Sequence, residues 1–222
     1  MLYVESVMDL RPWGYWTRDG VPYERTAEIV ALTEKVIARN PNHPGAIHLY
    51  IHAVEASDRP KRAEPYADRL RGAMPGAGHL VHMPSHIYYR VGRYLDALED
   101  NKTAVKVDEK YLAETNAPMG VYRLGYYPHN VHFVMASAQM AGDGPNVIAA
   151  AEKLGKLIPD EAARGIAMVQ PVKAAPYFAH AQFSTPDTIL ALPDPGDAIP
   201  YVKAMWLYVR GVALVAAATR PR

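Results

Sequence analysis

Cysteine is absent from all 222 residues. That excludes disulfides, thiolate metal sites and a cysteine nucleophile, and it leaves the redox compartment open. An excess of one charge is absent as well, with 24 Lys and Arg against 23 Asp and Glu. Nucleic-acid binding draws on a basic excess, and an anionic membrane surface on a run of like charge; the chain has neither. Long hydrophobic runs are also missing. The longest uncharged apolar stretch, residues 212–218, falls well short of the roughly 18–20 residues of a membrane span. The opening residues, Met1 to Glu5, carry neither the basic nor the apolar region of a signal peptide. No Gly-x-Ser-x-Gly, Walker A or dinucleotide fingerprint occurs. Residues 72–78 are glycine-rich, but they read as a turn between two helices. The expectation is a soluble protein, cytoplasmic by default, with no nucleic-acid or membrane partner.

What is present is core material and repetition. Half of the residues are hydrophobic. Residues 78–111 contain Tyr88, then Val91, Gly92, Arg93 and Tyr94, then Ala97 and Ala104. Gly92 suits a tight turn between two helices, and the two alanines suit a close helix approach. Residues 44–77 fit the same register, with Ala63 in the place of Ala97 and Pro75 closing the second helix. A third segment, 128–159, carries Gly142 where the second has Gly92 and closes on Pro159. Residues 112–127 read as an inserted loop, rich in Gly, Pro and Tyr, packed over the array. Thr26–Arg39 reads as an amphipathic helix and residues 3–10 as its partner, with Trp13 and Trp16 in an aromatic loop between them. Residues 161–181 and 201–219 read as later helices separated by proline-rich turns.

This pattern resembles the tetratricopeptide repeat (TPR) family, built from helix–turn–helix units of about 34 residues. The resemblance covers residues 44–159, about half the chain. It implies an all-α solenoid of antiparallel helix pairs, spanning residues 1–222 as a single array. It also implies that the first helix of each unit lines a concave groove. The unpaired ends suggest a piece of a longer array, or one completed by a second copy through its terminal helices.

Nine histidines occur, and eight fall in three short stretches. His48, His82 and His132 share the fifth position of their units, His52 and His86 the ninth, His79 and His129 the second. At about 100° per residue, offsets of three, four and seven keep His79, His82 and His86 on one face. Histidines at i and i+4 can chelate one metal from a single helix face. Crowded neutral imidazoles leave hydrogen-bonding capacity unused and charged ones repel, a conflict that a bound ion resolves. The expected site joins His48, His52 and Glu55 to His82 and His86; a second could join His82 or His86 to His129 and His132. Pro84 is tolerated only in a first helical turn, so the helix is predicted to start near Leu80, with His79 in the loop before it. Glu55 and Tyr89 extend the stripes as candidate catalytic residues, and His43 is expected to be solvated.

Imidazole and carboxylate without thiolate suit a divalent transition metal, Zn, Cu, Fe or Ni, over Ca or Mg. Three functions fit: a metal-dependent enzyme, with hydrolysis ahead of copper or iron oxidation; a non-catalytic metal-binding protein; and a TPR scaffold for a peptide or small molecule in the groove.

Overall fold

A computed structural model describes residues 1–219. Among these the chain is all-helical and has no strand, only one isolated bridge between Trp16 and Pro22. It divides into two compact units, Met1–Lys110 and the part from Tyr111 onward.

In the first unit, α1 (Leu2–Asp9) packs on α2 (Thr26–Arg39), and α2 packs on α3 (Pro44–Val54). The loop between α1 and α2 is pinned by Trp16, whose indole N–H donates to the Ala53 carbonyl at 2.7 Å. Helix α3 begins where its sequence dictates. Pro44 occupies the first turn, where a missing N–H costs nothing, and His43 Nδ1 accepts the Ala46 N–H at 3.2 Å. His43 is therefore a helix cap, half-buried rather than solvated as expected. Ile47, Tyr50, Ile51 and Val54 turn into the core, which commits the face bearing His48 and His52 to the other side.

Helix α4 (Glu64–Leu70) follows a short 3-10 turn, Pro60–Ala63. It ends at Leu70, five residues before Pro75, because Gly72 takes a left-handed conformation at φ 76°. Helices α5 (Gly78–His82) and α6 (Pro84–Arg90) are one turn and two turns long, separated at Met83. Pro84 therefore does end a helix, but the preceding turn survives, since Met83 keeps helical angles. His79 consequently lies on α5 and not in a loop. The long α7 (Tyr94–Thr115) follows Gly92, whose φ of 84° supplies the expected tight turn. Arg93 fastens α7 to α4, donating to Asp68 at 2.9 Å and Glu64 at 3.1 Å and lying 4.0 Å over the Tyr88 ring.

Gly78 is required by a close approach. A Cβ there would stand 1.8 Å from Oδ1 of the fully buried Asp108 on α7 and 3.4 Å from the Ala104 carbonyl. Gly78→Ala is expected to cost about 1–3 kcal/mol, the usual overpacking penalty. At about 2–4 °C per kcal/mol for a chain of this size, a thermal melt should fall by several degrees. An unchanged melt would mean that Asp108 has room to withdraw.

In the second unit, the start of the expected inserted loop is instead the end of α7, and residues 122–126 form a π-helical turn leading into α8 (Tyr127–Ala141). Gly142, at φ 74°, closes α8, and the Asp143 side chain accepts the Asn146 N–H to start α9 (Gly144–Leu157). The helix expected over residues 161–181 is broken into α10 (Asp160–Gly165), a 3-10 turn at Ala167–Val169, and α11 (Gln170–Phe183). Pro171 falls in the first turn of α11, where a proline is tolerated, while Pro176 is absorbed inside the same helix. α11 packs on α9 and on α13 (Pro200–Ala218), which also receives the short α12 (Pro186–Leu190). Helix α13 is long and apolar enough to cross a membrane by length and composition. Lys203 and Arg210 interrupt it, so it contains no uncharged run of its full length. Val202, Trp206, Val209 and Ala213 are its buried face, while Leu207, Tyr208, Leu214 and Val215 are exposed.

Candidate metal centre

Three elements of the first unit bring five imidazoles and one carboxylate together: His48 and His52 on α3, Glu55 at its C-cap, His79 and His82 on α5, and His86 on α6. Ring centroids lie 4.9 Å apart for His48 and His52, 4.9 Å for His48 and His79, 5.2 Å for His52 and His86, and 4.7 Å for His82 and His86. His82 is fully buried, and the side chains of His52, His86 and Glu55 are 14%, 10% and 15% exposed. The imidazoles thus face one another with little water to solvate them.

Their hydrogen bonds fix which nitrogen carries the proton. Burial alone would raise the Glu55 pKa, but the charge of His86 and hydrogen bonds from His52 and His86 outweigh it, holding the carboxyl well below its usual range. An ionised carboxylate only accepts. His52 Nδ1 therefore donates to Glu55 Oε1 at 3.0 Å, and His86 Nδ1 donates to Glu55 Oε2 at 2.6 Å. Asn101 does the same for His82. Its amide nitrogen donates to the Ala97 carbonyl at 2.6 Å, which turns its oxygen toward His82 Nδ1 at 2.5 Å. In the neutral ring a proton on Nδ1 leaves a lone pair on Nε2. Three imidazoles, His52, His82 and His86, are thereby prepared as Nε2 ligands. Carboxylate and carbonyl partners on the far nitrogen are the arrangement that orients metal-bound histidines.

The consequence is sharpest between His82 and His86, whose Nε2 atoms are 2.8 Å apart. With both rings neutral, two lone pairs facing at that distance would repel; a proton shared between the two Nε2 atoms, or a metal cation between them, removes the repulsion. His48 and His79 also meet Nε2 to Nε2, at 3.1 Å, where one ring can donate to the other. Within the first unit, two groups have ligand atoms all within 4.8 Å of one another, as a metal site requires: His48, His52 and His79, and His52, Glu55 and His86.

The structure brings His48, His52, Glu55, His82 and His86 close together, with His79, also a candidate ligand, beside them. Tyr89 packs its ring on Tyr94 at 5.4 Å, and burial raises its hydroxyl pKa. Tyr50 and Tyr88 donate to Glu34 and Asp68 from the core. His129 and His132 belong to α8 of the second unit. There the His129 ring lies 4.8 Å from Phe133, and burial lowers the His132 pKa. Asn101 is the residue of this cluster that the sequence reading missed. The signal was available: Ala97, Asn101, Ala104, Val105 and Asp108 form one buried stripe of α7, and a polar residue on such a stripe needs a buried partner.

The site also makes the ion-free fold acid-sensitive. Burial first, then the charges of His52 and His86, push the His48 pKa down to about 4. Between there and the ordinary value near 6.5, the unfolded chain takes up a proton that the folded chain refuses. Stability is full above about pH 6.5 and is lost as pH falls toward 4. The loss is at most about 3 kcal/mol. Urea unfolding of chelator-treated protein between pH 7.5 and 4 should show it, and His48→Gln should flatten the slope.

No family model and no curated protein sequence matches this chain.

Proposed function

We propose that this is a metal-binding protein of TPR-like architecture, a stack of antiparallel helix pairs whose His-lined groove holds a divalent transition metal ion. The observation that carries the reading is the His82–His86 contact. Both rings have their Nδ1 protons committed to Asn101 and Glu55, so in their neutral forms both present lone pairs to one point from 2.8 Å apart. Nitrogen donors with a single carboxylate nearby favour Zn, Cu, Fe or Ni over Ca or Mg. The reaction we propose is hydrolysis, since an ion with open positions brings bound water toward neutral pKa without a further cofactor. Glu55 acts in this reading as a positioning residue, both of its oxygens being occupied by imidazole N–H groups. Tyr89, three residues beyond His86, is proposed as a further catalytic group.

The test is metal content by mass spectrometry on untagged protein that has never met a nickel column. Wild type should carry a transition metal in whole-number ratio, and His82→Ala and His86→Ala should lose it. Hydrolysis of activated ester and phosphoester probes should disappear with chelator and return with metal. Metal bound without any hydrolysis would leave a non-catalytic metal-binding protein. Protein that is metal-free and takes up neither Zn nor Cu would leave a peptide-binding scaffold.

A further inference from the structure

Resting on that reading, we infer that the groove holds two metal ions, one on His82 and His86 and one on His48 and His79, with His52 and Glu55 between them. Two distinct Nε2–Nε2 contacts occur, at 2.8 Å and 3.1 Å, and they share no residue. One ion cannot serve both. The group of ligand atoms within 4.8 Å of one another around His48 and His79 takes in His52 but neither His82 nor His86. Each pair joins two turns: His82 and His86 bridge α5 to α6, and His48 and His79 bridge α3 to α5.

Each pair is near the spacing that an ion requires. Two nitrogens at 2.0–2.1 Å from a tetrahedral ion stand about 3.3 Å apart. The contacts must open by only about 0.2–0.5 Å, a small rotation of two rings that now touch. His52 supplies the third ligand of the second group. Its Nδ1 proton is held by Glu55, and its ligating atom lies with those of His48 and His79 within 4.8 Å.

Glu55 links the two positions. One of its oxygens receives His52, of the second group, and the other receives His86, of the first. A single carboxylate therefore sets the tautomers on both sides, and its charge offsets part of the repulsion between two dications.

The experiment is a calorimetric titration of chelator-stripped protein with Zn(II), alongside native mass spectrometry. The variants are His48→Gln/His79→Gln, His82→Gln/His86→Gln and all four together, with glutamine keeping a polar group at each buried position. Circular dichroism confirms that each variant is folded, and the corresponding single variants substitute for any pair that is not. We expect two ions in wild type, one in each double variant and none in the quadruple variant. Cu(II)-loaded wild type should also show dipolar coupling between ions by electron paramagnetic resonance, absent from both doubles. One ion in wild type, removed by either double, overturns the two-ion site and preserves metal binding. Two ions that survive loss of His48 and His79 overturn the second position. No ion in wild type overturns both readings.

Discussion

His86→Ala is expected to abolish most of the rise in melting temperature that a transition metal gives the wild-type protein. A ligand that binds only the folded state adds RT ln(1 + [L]/Kd), about 4 kcal/mol at a thousandfold excess over Kd. For a chain of this length that corresponds to about 8–16 °C. The histidines come from α3, α5 and α6, separated in sequence by up to 38 positions from His48 to His86, so the unfolded chain cannot present them together. His86 is the residue whose loss should matter most. It supplies one Nε2 of the 2.8 Å contact and one of the two N–H groups that hold Glu55. The measurement is a pair of melts, with Zn(II) and with chelator, for wild type, His86→Ala and His43→Ala. His43 caps α3 through its Nδ1, so His43→Ala should lower both melts together, by about 1 kcal/mol of capping energy. The difference between its two melts should match that of wild type. If His86→Ala retains the full metal-dependent increment, the ion does not sit on this pair.

The parts of this fold that were legible in the sequence are those fixed by local chemistry. The amphipathic repeat of Thr26–Arg39 produced a helix with those boundaries, and Gly92 and Gly142 turn where a left-handed residue is needed. The histidine grouping was legible for a related reason. Spacings of four on α3 and across α5 and α6 place side chains on one face whatever the neighbours do. What was not legible depended on how a proline is absorbed. Pro84 was expected to exclude His79 from the helix, yet Met83 holds helical angles and α5 keeps its single turn. That turn lies close against another element, Gly78 facing Asp108 of α7, and no local pattern reports it. The break at residues 166–169 has the same character. The protonation pattern of the site was hidden too, because it depends on Asn101, nineteen residues beyond the ring that it orients.

Glu55→Gln should reduce transition-metal affinity by about 10–100-fold, the usual cost of losing a residue that orients metal-bound histidines, although the substitution barely changes shape. The carboxylate accepts from two imidazoles at once, His52 on one oxygen and His86 on the other. A glutamine amide offers one acceptor and one donor. Its oxygen can keep one N–H bond, but its NH2 then points at the N–H of the other ring, donor against donor. That ring must move its proton to Nε2 and accept the amide at Nδ1. The lone pair aimed at the metal position is thereby lost, without the removal of any histidine. Nitrogen-15 spectra of the imidazoles read this directly. The metal-free wild type should show protonated Nδ1 for His52, His82 and His86, and Glu55→Gln should switch His52 or His86 while leaving His82, held by Asn101, unchanged. Glu55→Asp, with a shorter reach but two acceptor oxygens, should restore affinity in part. A chelator-competition titration supplies the binding constants. Unaltered affinity with a switched tautomer would mean that the ion does not use Nε2. Unaltered tautomers with weakened affinity would make Glu55 a direct ligand rather than the group that aims the rings.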